Sequence, residues 1–415
     1  MTDQKDLPII ESALDLDKYK LTMLYWIWKF YRDVVVTFAF LKRTKTVPLG
    51  KIIDRVRLKE ELDHLKALQF TPADVDYIRR MFLADGIKVE EEFLTFLLEL
   101  KMADYDLRLE GDQCAIEITG PWPRATLYET RVISVVNQLY NSAVRIEREM
   151  NIVDLWQEGD RRLDQKFTAL NAIPLPQSIP IMEFGCRRRY GRRWHHHVTR
   201  RAREEIPRHL LGTSNLWLAQ ELELTAMGTC AHETFMGVYG AVKGNPGIAQ
   251  NSVLKSWWEL FGPPYSIALT DTFTSDYFFK TFRHHAQDWK GVRQDSGDPV
   301  KFGEKTIDFY RSLGIEPKDK VIVFSDGLDV ERIVQLYSHF HERIKVVFGW
   351  GTNLTNDLGP AALSLVVKLI RAAGWPAVKI SDNPEKATGD PEEVEYCKRL
   401  VGYQSDRYTA ETCRY

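Results

Sequence analysis

The sequence predicts an α/β protein in which a barrel of βα units carries a smaller α+β region formed by the N-terminal part of the chain. Three observations predict it. From about residue 178, short apolar segments each end in a polar or glycine-rich turn and lead into a helical stretch, the rhythm of parallel βα units. Before about residue 150, strand-like and helix-like stretches alternate without that rhythm. The chain has 415 residues, 44% of them hydrophobic, enough to bury a large core and divide into domains.

In the first region, DVVVTFAFLKRT (33–44) is β-branched and aromatic, as a buried strand should be. KEELDHLKALQF (59–70) repeats apolar positions at helical spacing and stops before Thr71-Pro72. CAIEITGPWPRATLYETR gives an alternating strand, a turn at Gly120-Pro121 and a helix that continues through VISVVNQLYNSAVRIEREM. The later strands are IPIMEFGCRR (179–188), LTAMGTCAHE (224–233), YSIALTDTF (265–273), KGVRQDSGD (290–298), KVIVFSDG (320–327) and KVVFGWGTN (345–353). Two weaker segments, LSLVVKLI and PAVKISDN, close the series. Glu183, Arg188, Thr229, His232, Asp271, Arg293, Asp295, Ser325, Asp326, Gly349 and Thr352 fall at or just past the ends of these strands, where parallel α/β folds build their sites.

Composition excludes several classes. Lys+Arg of 56 against Asp+Glu of 58 leaves a net charge of -2, so no global field recruits DNA or an anionic membrane. Cys114, Cys186, Cys230, Cys397 and Cys413 are far apart and form no C-x-x-C pair, so neither a disulfide framework nor a zinc knuckle is expected. MTDQKDLPIIE at the start lacks the basic and apolar regions of a signal peptide, and no apolar run is long enough to span a bilayer. The expectation is a soluble cytoplasmic protein.

SDGLDVERIVQLY (325–337) sets Ser-Asp-Gly between a strand and an amphipathic helix. That is either an anion cradle, with backbone N–H groups turned to a phosphate, or a helix cap with its turn glycine. FGWGTNLTND (348–357) supplies a second donor-rich turn at the end of the next strand, and two consecutive late loops of this kind favour a phosphorylated sugar. RQDSGDP (293–299) holds Asp295 and Asp298 three apart. Paired carboxylates suit ribose hydroxyls or magnesium, Arg293 suits a carboxylate substrate, and a helix cap is the alternative.

GTCAHET (228–234) brings His232 to the same rim, as a nucleophile, an acid–base group or a structural histidine, while Cys230 reads as packing. RRRYGRRWHHHVTRRAR (187–203) resembles a nucleic-acid patch or a three-histidine metal site. Adjacent histidines point to different helical faces, however, and the stretch from Arg192 onward reads as a mostly solvated helix face, leaving Arg187 and Arg188 for the site. LDLDKYKLTMLYW (14–26) is either an N-terminal amphipathic helix or the source of an aromatic face for stacking.

In order and spacing, LDLDKYKLTM, EFGCRRR, GTSN (212–215), MGTCAHE, GVRQDSGDP, SDGLD and GWGTNLTND resemble the motifs of nicotinate phosphoribosyltransferases, from about residue 8 to residue 405. The resemblance implies a type II phosphoribosyltransferase fold: an irregular α/β barrel over 151–380, with a second, smaller α+β domain of residues 1–150 completed by 381–415. It implies an enzyme of NAD salvage that forms nicotinate mononucleotide and pyrophosphate from nicotinate and phosphoribosyl pyrophosphate, coupled to ATP hydrolysis. His232 is then the histidine that ATP phosphorylates. Tyr19 and Phe184 sandwich the pyridine ring, and Thr229 and Arg293 hold nicotinate. Arg188 faces the phosphates and Asp295 the ribose hydroxyls, while the turns of Ser325, Asp326 and Gly327 and of Gly349, Gly351 and Thr352 cradle the 5-phosphate.

Mg2+ is expected to accompany pyrophosphate and ATP, with no metal ligands assigned in the protein. The N-terminal Tyr segment is expected to reach a neighbouring barrel, which makes a homodimer with shared sites; neither nucleic acid nor membrane is expected as a partner. Cys186 and Cys230 stand where the family has other residues, and the run after Tyr190 is more basic than usual. A nicotinamide or quinolinate phosphoribosyltransferase is the nearest alternative, and a phosphosugar hydrolase or an RNA-binding protein the alternative of another class.

Overall fold

The structure, a computed structural model, describes residues 7–44, 46–408 and 410. In chain order its strands are β1 (Val35–Lys42), β2 (Tyr105–Glu110), β3 (Gln113–Pro121), β4 (Ile181–Glu183), β5 (Leu210–Thr213), β6 (Ile267–Leu269), β7 (Gly291–Gln294), β8 (Val321–Phe324), β9 (Lys345–Trp350), β10 (Leu365–Ala372) and β11 (Trp375–Pro376). A six-stranded parallel sheet has the order β5-β4-β9-β8-β7-β6, and a separate antiparallel sheet the order β11-β10-β1-β3-β2. The fold class is the α/β one that the sequence predicts.

The parallel strands are short apolar runs because helices cover them, so residues on both faces are buried. All of β7 is buried, as are Ile322, Val323 and Phe324 of β8. Helix Pro299–Ser312 returns the chain from β7 to β8, and helix Val330–Phe340 from β8 to β9. Each begins on an aspartate cap: Asp298 accepts from the N–H groups of Val300 and Lys301, and Asp329 from that of Arg332. Beyond β5 the layer continues only as a bridge between Thr213 and Ala226, so LTAMGTCAHE adds no regular strand.

LSLVVKLI is corrected: it does not close the parallel series but forms β10, antiparallel to β1 in a register that sets Val36 opposite Ala372. A fully buried antiparallel strand and a parallel one give the same apolar run, so periodicity does not separate them. PAVKISDN holds no strand beyond Pro376, only the bridge of Lys379 to Thr388. Strand β5, in LLGT, is unmarked in the sequence because only two apolar residues precede its glycine.

The antiparallel sheet lies across the carboxyl ends of the parallel strands, and Phe38 of β1 with Val366 to Leu369 of β10 faces Arg293 and Ser325 across a cavity. Among the described residues no helix is long and apolar enough to cross a membrane. Cys114, Cys186, Cys230 and Cys397 are free thiols; Cys413 lies outside the described residues.

Candidate active site

The cavity holds about 1570 Å3 of empty space, its mouth included. It is lined by Tyr19, Phe184, Arg188, Thr229, His232, Arg293 and Asp295, together with Ser325, Asp326, Gly327, Gly349, Gly351 and Thr352. Segments hundreds of residues apart in sequence thus converge on one space.

His232 opens helix His232–Ala241 and is 4% exposed. Its Nδ1 lies 2.9 Å from Thr272 Oγ1, and its Nε2 lies 3.0 Å from Asp295 Oδ2. Lys379 Nζ donates to Nε2 at 2.8 Å and also pairs with Asp271 at 3.2 Å. Burial and the Lys379 ammonium pull the imidazole down to about 4, against the pull of Asp271 and Asp295, so the ring is neutral at pH 7. Burial opposes ionisation of Asp295, but the charges of Arg293 and Lys379 outweigh it and hold its carboxyl well below the usual range.

Arg293 sits within β7 and is fastened on three sides. Its Nη1 donates to Thr229 Oγ1 at 2.6 Å and to the Cys230 carbonyl at 2.9 Å, and its Nη2 donates to Asp295 at 3.2 Å. Its Nε has no partner among the described residues. Asp298, by contrast, faces away as a helix cap, which settles the alternative readings of RQDSGDP: one aspartate in the cavity, one in the cap.

The aromatic faces are held from behind. Tyr19 stands between charged neighbours that are buried and tied to different parts of the fold. Asp17 accepts from Ser214 Oγ at 2.5 Å, and Lys18 pairs with Asp85 at 2.6 Å. Lys20 bridges Glu129 and Glu233. Buried ions are costly unless each is paired, so DKYK is a set of anchors rather than an amphipathic face. A Cβ on Gly228 would lie 3.0 Å from the Tyr19 nitrogen, and one on Gly349 would lie 2.5 Å from the Phe184 ring. Gly349 therefore leaves room for the Phe184 ring while lining the cavity.

The other turn residues also line the cavity. Asp329 takes the cap of its helix and leaves Ser325, Asp326 and Gly327 as a turn at the cavity, with Gly327 at φ 57°. Ser325 Oγ donates to Asp295 Oδ1 at 3.1 Å. The turn of Gly351 and Thr352 is fixed from outside by Lys166, which donates to the Asn353 carbonyl at 2.5 Å and pairs with Asp357 at 2.7 Å.

Sequence reasoning missed part of the wall. Arg43, Lys368, Lys379 and Lys386 line the cavity from the antiparallel sheet and the segment after it, while Arg187, expected there together with Arg188, lies 3.6 Å from Glu129. Lys386 pairs with Asp326 at 2.5 Å and donates to the Asp295 carbonyl at 3.0 Å. Burial, reinforced by Lys379, Arg43 and Arg187 and opposed by Glu129, brings Lys368 down to about 7. The one available signal was a lysine inside an otherwise apolar strand, LVVKLI.

Other expected residues lie elsewhere. Glu183, placed on the rim by the sequence, turns inward to His195 at 3.0 Å and to Thr213 at 2.5 Å. The histidine run serves three neighbours: His195 meets Glu183, His196 packs on Trp217, and His197 meets Asp160 at 2.7 Å. In the helix Arg192–Glu205, Arg192, Arg200 and Arg201 are each paired with carboxylates. The helix is less solvated than expected, with Trp194, His195, Val198, Thr199 and Ala202 buried. His232, Asp271 and Asp295 place possible ligand atoms within 4.8 Å of one another. The Lys379 ammonium already stands among them, so this group does not fit a resident metal. Tyr19 lines the cavity that holds the His232 of its own chain.

Comparison with known proteins gives the same picture over the whole chain. The model of the nicotinate phosphoribosyltransferase family matches residues 179–404, and that of the N-terminal domain of the same family matches 14–137. A solved nicotinate phosphoribosyltransferase from Vibrio cholerae is 34% identical, with a TM-score of 0.85 over 96% of this chain and 95% of that one. One from Porphyromonas gingivalis is 28% identical, with a TM-score of 0.84 over 95% of this chain and 100% of that one. Both domains, in order and at full length, place the chain in the nicotinate phosphoribosyltransferase family.

Proposed function

We propose that the chain joins nicotinate to phosphoribosyl pyrophosphate, releasing nicotinate mononucleotide and pyrophosphate, and that ATP hydrolysis drives the reaction through phosphorylation of His232. The observation that carries this reading is the convergence, in one cavity, of an aromatic slot, an arginine, inward-facing turns and a cationic wall around a neutral buried histidine.

Displacement at the anomeric carbon passes through an oxocarbenium-like state, so the site must hold the sugar, position the ring nitrogen and stabilise the departing pyrophosphate. Tyr19 and Phe184 take the two faces of the pyridine, and Arg293, steadied by Thr229, takes its carboxylate. Asp295 holds the ribose hydroxyls. The turns of Ser325 to Gly327 and of Gly351 and Thr352 take the 5-phosphate, while Arg43, Arg187, Arg188, Lys368 and Lys386 neutralise the pyrophosphate. Magnesium enters with pyrophosphate and ATP as part of those substrates. A homodimer of this chain is the expected assembly, and mixing Tyr19 and His232 variants tests whether its sites are shared. The free buried thiols suit the reducing cytoplasm in which this reading places the enzyme.

The test is product formation from nicotinate, phosphoribosyl pyrophosphate, magnesium and ATP, with nicotinamide and quinolinate as competing substrates. Nicotinate mononucleotide as the dominant product, with ATP consumed in step, supports the reading. Turnover confined to either other pyridine, or release of phosphate without any pyridine, refutes it.

A further inference from the structure

We propose that Lys379 masks the Nε2 lone pair of His232 in the resting site and releases it to an incoming phosphate chain, which makes Lys379 the positioning residue that gates phosphoryl transfer to that nitrogen. The proposal rests on the phosphohistidine reading above and adds the device that controls it.

The geometry is specific. Lys379 is 3% exposed, lines the cavity, and donates to Nε2 at 2.8 Å. Thr272 organises both partners: its hydroxyl meets the imidazole Nδ1, and its carbonyl accepts from the N–H of Ile380, the residue after Lys379, at 2.8 Å. With Nε2 accepting from the ammonium, Nδ1 carries the ring proton and donates it to Thr272.

The charged groups around the ring come from three segments. Asp271 follows β6 and pairs with Lys379; Asp295 follows β7 and divides its oxygens between His232 and Arg293; Lys379 follows β11. Glu233, next to His232 in sequence, turns instead to Lys20, Trp122 and Thr126. Without the ammonium, an imidazole beside two carboxylates would take up a proton and lose its nucleophilicity. With it the ring stays neutral, but the lone pair is engaged.

A triphosphate carries more negative charge than the single carboxylate of Asp271, and the four-carbon stem of lysine lets the ammonium swing toward it. The freed Nε2 lone pair then forms the N–P bond to the γ-phosphorus. The bond from that phosphorus to the bridging oxygen breaks, and its electron pair leaves on ADP. The Nδ1 proton stays, and the cationic ring is balanced by Asp295.

Two variants test this: Lys379→Gln, which removes the charge, and Lys379→Arg, which keeps it. In the wild type, His232 followed by NMR of ring-labelled histidine should stay neutral down to about pH 4. In Lys379→Gln its titration should move up by about two pH units, and labelling of His232 by γ-labelled ATP should become about tenfold slower at pH 5 than at pH 8. Lys379→Arg should keep a flat labelling profile. A flat profile in Lys379→Gln, an acid limb in both variants, or a wild-type His232 that titrates near 6.5 overturns the proposal. The last measurement needs no variant, so it decides even if Lys379→Gln does not fold. Absence of any label on wild-type His232 refutes the phosphohistidine reading instead, and the histidine titration still reports on Lys379.

Discussion

Arg293 is where the choice between an acid and an amide rests, because a guanidinium fork pairs with a carboxylate and gains little from an amide. Thr229, the Cys230 carbonyl and Asp295 fix its plane, so the fork is organised before the substrate arrives. Arg293→Ala should raise the KM for nicotinate at least tenfold, about 1.4 kcal/mol, with a smaller effect on phosphoribosyl pyrophosphate. Arg293→Lys should recover little, since it restores charge without the fork. Equal losses for both substrates in steady-state kinetics would refute the assignment. Lys368 makes a second prediction at this scale. Its ammonium, lowered to about 7 by burial, is favoured by a bound polyanion, so the bound state titrates higher. Between those two values binding takes up a proton, and affinity falls as pH rises through about 7. Calorimetry of pyrophosphate binding at pH 8 in buffers of different ionisation enthalpy should show this uptake, and Lys368→Gln should abolish it. Uptake unchanged in the variant would assign the proton to another group.

At the scale of elements, the helix Lys18–Phe30 shows why some of the site was legible and some was not. Its apolar spacing marks it as a helix, and Leu21, Leu24 and Ile27 are indeed buried. Nothing in that spacing says that Lys20 is fully buried between two glutamates, because the partners come from helices Tyr128–Glu147 and His232–Ala241. Lys20→Met should leave Glu129 and Glu233 buried without their shared counter-charge, at a cost of about 3–5 kcal/mol. Equilibrium denaturation should read that loss, and a change below about 1 kcal/mol would show the cluster to be dispensable. Strand β10 gives the complementary lesson. LVVKLI was visible as a strand, but its sheet was not, since pairing to β1 is a long-range choice that local periodicity does not encode. That choice brings Lys368 over the cavity, so the misassigned strand and the missed lysine share one cause. The turns at the ends of β7, β8 and β9 were legible because glycine and cap residues mark them locally.

At the scale of the whole molecule, the antiparallel sheet closes over the parallel one, and the N-terminal helix enters the cavity that the later strands build. Tyr19 reaches that cavity through contacts within its own chain: the Lys18 N–H donates to the Ser214 carbonyl at 2.7 Å, and a bridge joins Asp17 to Asn215. Asp15, just before, is gripped by both Nη atoms of Arg189 at 2.7 and 2.8 Å, with both residues fully buried. Those buried bonds set Tyr19 in the cavity that holds the His232 of its own chain. Mixing Tyr19→Ala with His232→Ala chains therefore separates two architectures. If the ring face and the phosphorylated histidine belonged to different chains, hybrid dimers formed after mild unfolding and refolding would regain up to one intact site each. With both residues in one chain, every chain in the mixture lacks one of them, and ATP-coupled formation of nicotinate mononucleotide should stay at the sum of the two separate variants. Recovery of activity well above that sum, at constant total protein, would show that Tyr19 acts across subunits.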